Sequence, residues 1–350
     1  MKKTTVANRR RGFSLIELMV AMGILSVLML MLTLLLDQVQ RSWTYSESRI
    51  TQFREARVAF DLVTKNLGQA SLNTYWDLKD EDEDGLIDKY YRTSELHFET
   101  MKADDAKLSV SGSQELVGHA VFFQAPLGFS TKYRNLNNLF NGRGYFVSFG
   151  SNEAFRPRKQ FLDSIAPLYR YRLMEFRPPA ESNQVFADGG AEREAGEPQD
   201  FTEWFKQGLT GVGTGDFESH LNPIAENIVT LIVLPRDSLE ASSGGRDDTH
   251  SEIAPDYEYN SNDVANKDIA QQVPPLVRVT MVAIDEISAI RLADGGQRPE
   301  IVPKDLFQSS RDYKKDIDTL SAKLNEERIN HKIFSSMVML RSAKWSDAGN

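Results

Sequence analysis

The chain opens on a short polar stretch and then turns apolar. Phe13 to Leu36 is apolar except for Ser14, Glu17, Ser26 and Thr33, with Gly23 tolerated inside the run. At about 1.5 Å per helical residue, such a run reaches across a hydrocarbon core of roughly 30 Å. In lipid a lone segment must be helical to satisfy its own backbone. A secretory signal has an apolar region of only about 7–15 residues and then a small-residue cleavage site. This run is longer, and Leu34-Leu35-Leu36-Asp37 is not such a site. The pattern predicts a membrane-spanning helix over 13–36.

Past Asp37 the helical period continues in amphipathic form. There is no Pro and no Gly between Gln38 and Gly68. Val39, Trp43, Ile50, Phe53, Phe60 and Leu67 fall on a 4-3-4-3 spacing, with Ser46, Arg57 and Thr64 in the remaining slots. Arg41, Glu47, Arg54, Asp61 and Lys65 lie opposite. This is one apolar stripe at helical period, so 37–71 reads as the same helix continued onto a folded domain.

From 72 to 350 the pattern changes to strands. Glu95–Thr100, Ala120–Gln124, Tyr145–Phe149, Tyr169–Phe176, Ile228–Leu234, Leu276–Ile284 and Ile333–Leu340 show period-2 alternation or β-branched enrichment between turns. Asp305–Arg328 carries Leu306, Tyr313, Ile317, Leu320 and Leu324 at helical spacing, with Pro303 just before it. Two stretches, 188–198 and 238–275, are rich in Gly, Ser, acids or amides and read as loop insertions. The expected class is α+β: a long N-terminal helix packed on an antiparallel sheet domain.

Charge changes the picture at the N-terminus. Lys2, Lys3, Arg9, Arg10 and Arg11 precede the apolar run and no acid does. The positive-inside rule keeps that end cytoplasmic and sends the rest outward. Trp43 and Tyr45 follow the span, where amphipathic rings favour the interface. Glu17 is the one acid inside the run. There it costs on the order of 2–3 kcal/mol at mid-membrane and less near an interface. The chain has no basic residue between Phe13 and Arg41 to pair with it, so a partner from another molecule is expected.

The segment Gly12-Phe13-Ser14-Leu15-Ile16-Glu17-Leu18 behind a basic leader resembles the cleavage and methylation signature of type IV prepilins and of type II secretion pseudopilins. The resemblance implies a leader at 1–12, a cut after Gly12 by prepilin peptidase and methylation of Phe13 by the same enzyme. It further implies that Glu17 binds the new amine of a neighbouring pilin or pseudopilin subunit, and that the span sits in inner-membrane lipid with the bulk of the chain outside. The order of helix, strands, late helix and final strand resembles the larger minor pseudopilins, the J-type in particular. In these, the segments corresponding to Asn222–Leu231 and Pro274–Thr280 are paired strands. Leu72-Asn73-Thr74-Tyr75-Trp76, Ser94-Glu95-Leu96-His97-Phe98 and Arg341-Ser342-Ala343-Lys344-Trp345 resemble the Verru/Chthon cassette protein C family. The tip-type large pseudopilin characteristically lacks an acid at the position of Glu17, so this chain departs from that type.

Bulk numbers exclude some functions. Removing five basic residues with the leader takes Lys+Arg from 41 to 36 against 50 acids, and the net charge from −9 to −14. An acidic domain without a basic stripe is a poor nucleic-acid binder. The absence of cysteine excludes disulfides and thiolate metal sites.

One loop resembles a cation site. Asp80, Asp82 and Asp84 occupy the first, third and fifth positions of a calcium loop, Gly85 the sixth and Asp88 the ninth. The twelfth position, which needs a bidentate acid, is Tyr91; a later acid such as Glu95 is the candidate replacement. A solvated acidic loop is the competing reading. Catalytic sets are thin. His97, His119, His220, His250 and His331 are scattered, and His97 and His119 fall in strand-like runs. Gly211-Val212-Gly213-Thr214-Gly215 lacks the context of a dinucleotide fingerprint. No enzyme is expected. The readings in play are a structural filament subunit, a calcium-dependent anchored or tip adhesin, and, far behind, an anchored hydrolase.

Overall fold

A computed structural model describes residues 14–80, 85–103, 108, 110, 114–133, 137–156, 165–183, 203–210, 220–237, 251–263, 265–293 and 296–344. In chain order its elements are α1 (Leu15–Leu67), β1 (Tyr75–Lys79), β2 (Lys89–Thr93), β3 (Glu99–Lys102), β4 (Glu115–Phe129), β5 (Asn137–Ser151) and β6 (Tyr169–Phe176). They continue with α2 (Glu203–Thr210), β7 (Leu221–Glu226), β8 (Ile228–Arg236), β9 (Tyr259–Asn260), β10 (Leu276–Ile284), α3 (Glu286–Leu292), α4 (Tyr313–Glu326) and β11 (His331–Met339). The chain divides into two compact units, Met1–Thr51 and Gln52–Asn350, and α1 contributes to both. The fold is α+β and pilin-like: an apolar N-terminal helix and a mostly antiparallel β domain.

Within the second unit, β7-β6-β5-β4-β3-β9 form one antiparallel sheet and β11-β10-β8 another, while β1 and β2 pair only with each other. The central strands are buried on both faces. On β4, Val121, Phe123 and Ala125 enter one cluster, and Ala120 and Phe122 enter the second. β5 alternates in the same way, with Tyr145, Val147 and Phe149 on one side and Phe146 on the other. Two-sided burial explains why these strands read as nearly continuous apolar runs. The chain crosses between the two sheets at Asn227, which adopts φ +61, a conformation Asn tolerates better than most residues.

The α1 residues of this unit pack through a narrow, small-residue face. Ala56, Ala59, Phe60, Val63, Asn66, Leu67 and Ala70 are buried. The expected stripe is therefore corrected. Phe53, Phe60 and Leu67 do face the domain, but Arg57, placed in the same stripe, is exposed, as are Val39 and Trp43. The alanines let the backbone approach closely: Phe60 meets the Phe334 ring of β11 at 5.8 Å, and Asn66 Nδ2 donates to the Tyr145 hydroxyl of β5 at 2.7 Å. Burying Phe60, Val63 and Leu67 contributes about 2 kcal/mol each. The Tyr145 hydroxyl donates in turn to Glu175 Oε1 (2.9 Å), which lies 3.3 Å from Arg143 Nη1. Burial, and then the Glu175 charge, push the Tyr145 phenol far above its usual range.

Tyr169–Phe176 and Leu276–Ile284 are strands with the expected ends, and β8 pairs with β10 as the pseudopilin resemblance implies. Three expectations are corrected. The strand expected at Glu95 begins at Glu99, because Ser94 to Phe98 is held by side chains instead of a ladder: Ser94 Oγ accepts from Leu96 N and Gln124 Oε1 accepts from His97 N. The late helix begins at Tyr313, not Asp305. Phe307 takes φ +59 and is buried, and its N–H donates to Asp316 Oδ2 at 2.8 Å, so the chain turns inward there. The second loop insertion is core as much as loop. Residues 188–198 and 238–250 lie outside the described residues, but Ala254, Tyr257, Tyr259, Ile269 and Val273 are buried and β9 extends the large sheet.

A bulge in β4 sets the closest approach between the sheets. The β4–β5 register shifts between Val117 and Val121, and Gly118 sits at φ +73. A Cβ on Gly118 would lie 2.4 Å from Thr230 Oγ1 and 2.8 Å from the Leu231 carbonyl. Gly118→Ala is therefore expected to cost roughly 2–4 kcal/mol from backbone strain and overpacking, read as a lowered urea midpoint. The next residue, His119, is fully buried; its Nδ1 accepts from Val233 N (3.2 Å). Burial, seconded by the Lys102 charge, lowers its pKa from 6.5 to about 4. The unfolded chain thus binds a proton that the fold refuses between those values. Stability from this residue is present above pH 6.5 and drains as pH falls towards 4, by roughly 3 kcal/mol in all. Urea unfolding of wild type and His119→Gln at pH 7 and pH 5 checks this. The variant should show a flatter acid dependence whatever its stability at pH 7.

Candidate functional site

The N-terminal segment is built by the start of α1. Gly12 and Phe13 lie outside the described residues; Ser14 is the residue before the first helical turn and Glu17 is its third member. The first four N–H groups of any helix lack an intrahelical acceptor. Here Ser14 N donates to Glu17 Oε2 at 3.0 Å and Glu17 N donates to Ser14 Oγ at 3.4 Å. This is a reciprocal capping box, and the carboxylate also meets the positive end of the helix dipole. The expectation that Glu17 finds its partner outside the chain is corrected to this extent: it already has a backbone donor inside it. The Ser-x-x-Glu spacing signalled this in the sequence, behind the more conspicuous question of charge.

The cap leaves the carboxylate usable. An ionised carboxylate has about four acceptor positions, and one is used by Ser14. A cut after Gly12 turns the nitrogen of residue 13 into an amine while Ser14 keeps its amide N–H. The capping box therefore survives cleavage, and Glu17 keeps acceptor capacity for a cation.

The rest of the segment suits an apolar medium. Leu15–Trp43 forms 29 residues of helix, about 43 Å long against a core of roughly 30 Å, and its most apolar 18-residue stretch has mean hydropathy 2.6. Its two mid-helix hydroxyls satisfy themselves: Ser26 Oγ donates to the Met22 carbonyl and Thr33 Oγ1 to the Met29 carbonyl, both at 2.8 Å. Asp37 and Arg41 pair at 3.0 Å one turn apart near its far end. Length and composition are those of a single-pass anchor.

The acidic loop joins β1 to β2. Trp76 pairs with Arg92, Leu78 with Tyr90 and Asp77 with Tyr91. Asp80 Oδ2 accepts from Gly85 N at 2.7 Å and Gly85 takes φ +85, so the first and sixth positions of the calcium pattern close the turn together. Asp82 and Asp84 lie outside the described residues; Asp88 is exposed next to β2. The Tyr91 hydroxyl donates to Asp77 at 2.9 Å, and burial followed by that bond raises its pKa to about 12. Glu95 does not replace the missing twelfth ligand. It accepts from Tyr75 Oη (2.7 Å) and Asn73 Nδ2 at the base of the hairpin, and the strand from Tyr75 to Lys79 sets base and tip roughly 13 Å apart. Among the described residues no three His, Asp or Glu are grouped to share a metal ion.

The histidines serve the fold. His97 faces Asn260 Oδ1 (2.8 Å) and accepts at Nδ1 from Trp204 (3.4 Å), beneath the aromatic cluster in which Phe122 stacks on Phe205 at 4.0 Å. His331 Nε2 lies 3.1 Å from Ser321 Oγ, but its Nδ1 faces the Ile329 carbonyl, not the carboxylate of a Ser-His-acid set. His250 and the stretch 211–215 lie outside the described residues.

Comparison with protein families bears on the first of these sites. Residues 7–33 match the prokaryotic N-terminal methylation motif. No curated protein and no solved structure matches the chain. The matched residues span the basic residues Arg9–Arg11, Gly12, Phe13, the capping pair Ser14 and Glu17, and most of the apolar run. The motif supports a type IV pilin-like or pseudopilin-like protein, cleaved and methylated at its N-terminus.

Proposed function

We propose that the chain is a minor pilin or pseudopilin, a structural subunit of an extracytoplasmic filament of the type IV pilus or type II secretion kind. The observation that carries this reading is Glu17: an acid fixed by a cap at the head of a long apolar helix, within the matched motif. A membrane anchor does not need that charge. A subunit that must recognise the cationic N-terminus of the next one does. Prepilin peptidase cuts after Gly12 and methylates Phe13. The basic leader stays cytoplasmic and the β domain lies outside the inner membrane. The finer placement is a J-type pseudopilin by the order of its elements, and a Verru/Chthon cassette protein C member by the segments around Trp76, Leu96 and Trp345.

The hairpin favours a second role. We infer that Asp80, Asp82, Asp84 and Asp88 hold calcium, with water at the twelfth position. The Asp80–Gly85 bond brings the first and sixth positions of the pattern together. This would suit a calcium-dependent contact made by the anchored domain or at a filament tip.

Two substitutions separate capping from docking. Gln can serve in a capping box but carries no charge. Glu17→Gln and Glu17→Ala should both insert in the membrane, and both should lower incorporation into filaments by roughly tenfold or more. Normal incorporation of Glu17→Gln would show that the cap alone matters. The mass of the mature N-terminus checks processing: a chain beginning at methylated Phe13 is expected, and an intact Met1 in cells with active prepilin peptidase overturns the reading. For the loop, calorimetric titration with calcium should give heat at up to millimolar ion, and Asp80→Asn with Asp82→Asn should abolish it.

A further inference from the structure

The bulge at Gly118 opens a cleft between β4, the end of β3 and the segment Arg298–Gln308. Its volume is about 40 Å³. One water needs about 10–15 Å³, so the space matches a few waters or one small polyatomic ion. Among the described residues the lining includes Lys102, Arg298 and Lys304, and no acid. In a chain with 50 acids against 41 basic residues, three cations on the described walls of one cleft run against the bulk charge.

The cations are only partly satisfied. Arg298 is paired: its Nε lies 3.2 Å from Glu115 Oε2 and its Nη1 donates to the Leu116 carbonyl at 3.2 Å. Lys102 Nζ donates to one neutral acceptor, Gln308 Oε1, at 2.8 Å, although an ammonium has three donors. Lys304 is exposed, and its ammonium has no partner among the described residues. His119 at the back of the cleft adds no charge, because burial, seconded by the Lys102 charge, disfavours the protonated ring. With Glu115 set against Arg298, two positive charges remain without an ion-pair partner among the described residues.

The walls are held in place. Gly118 admits no side chain without a clash. Phe307 is fixed at φ +59 by Asp316. Gln308 Nε2 donates to the Lys304 carbonyl at 2.7 Å, while its Oε1 holds Lys102. One glutamine thus ties the two lysine-bearing segments together. Asp305 and Glu300 are exposed beside the cleft and do not line it.

We propose that this cleft is an anion site that takes a phosphate-type dianion, with Lys102 and Lys304 as its charged donors and Arg298 as its third wall. Two ammonium groups match a doubly charged oxyanion, and Gln308 shifts from holding Lys102 to flanking the ligand. A singly charged carboxylate uses half of that charge and binds more weakly.

The test uses the full chain in detergent. Inorganic phosphate and acetate are titrated calorimetrically at pH 7.5, with ionic strength held constant by chloride. Phosphate should bind, acetate more weakly. Lys304→Gln and Lys102→Gln should each weaken phosphate binding about tenfold, and the double variant should abolish it. Circular dichroism reports the fold of each variant. If Lys102→Gln misfolds, Lys304→Gln decides alone, since its exposed side chain supports nothing else. No phosphate heat above the chloride baseline, or unchanged affinity in Lys304→Gln, overturns the proposal.

Discussion

The outer domain depends on how closely the end of α1 approaches its sheets. Ala56 and Ala59 remove side-chain bulk where Phe60, Val63 and Leu67 enter the core, and that proximity lets Asn66 reach the Tyr145 hydroxyl. A larger residue at an alanine would lift the helix and strand a chain of buried polar groups. Asn66, Tyr145, Glu175 and Arg143 are linked in series. Buried polar groups are expensive when half satisfied and specifying when satisfied. The apolar contacts supply most of the stabilisation, and the polar chain fixes the position at which the helix lies.

The same economy of polar groups governs the apolar part of α1. Ser26 and Thr33 bond to carbonyls of their own helix, and Glu17 takes the N–H of Ser14. These arrangements need no second chain, so the helix can wait in lipid as a monomer. The cap gives the Glu17 carboxylate one donor before any partner arrives. It also limits what that acid shows about docking, because part of its role is local. A carboxylate that already has one donor is held in place for a second.

Sequence pattern revealed much of this and missed the rest for identifiable reasons. The edges of Tyr169–Phe176 and Leu276–Ile284 were legible because both strands are buried along their length and bounded by turns. α2 was not legible. Its eight residues carry only Trp204, Phe205 and Leu209 as large apolar groups, and what holds it is contact with Phe122 and Phe176, far away in sequence. The segment from Ser251 to Pro275 read as a loop because its anchors are amides and hydroxyls: Ser251 Oγ donates to the Pro235 carbonyl, Thr74 Oγ1 to the Gln271 carbonyl and Tyr259 Oη to the Gln272 carbonyl. Polar composition suggested solvent, but long-range hydrogen bonds buried it. The cationic cleft had no signal at all, since Lys102, Arg298 and Lys304 come together only through the bulge at Gly118.

Charge and geometry meet at the N-terminus. The mature chain, at −14, repels its own copies, so association has to come from apolar contact along the helices and from a local pair of opposite charges. Glu17 lies in the first turn of the helix, and side chains on a helix lean towards its N-terminus. The bond from Ser14 N to Glu17 Oε2 shows the carboxylate drawn in that direction. On the proposed reading, the acid of one subunit then lies near the level of its own Ser14 amide. A neighbour's amine can reach it with little axial offset. An uncapped glutamate would sample several levels and set no register. The cap thus turns a diffuse attraction into a positional one, and this is a reason for a serine, and not another apolar residue, at position 14.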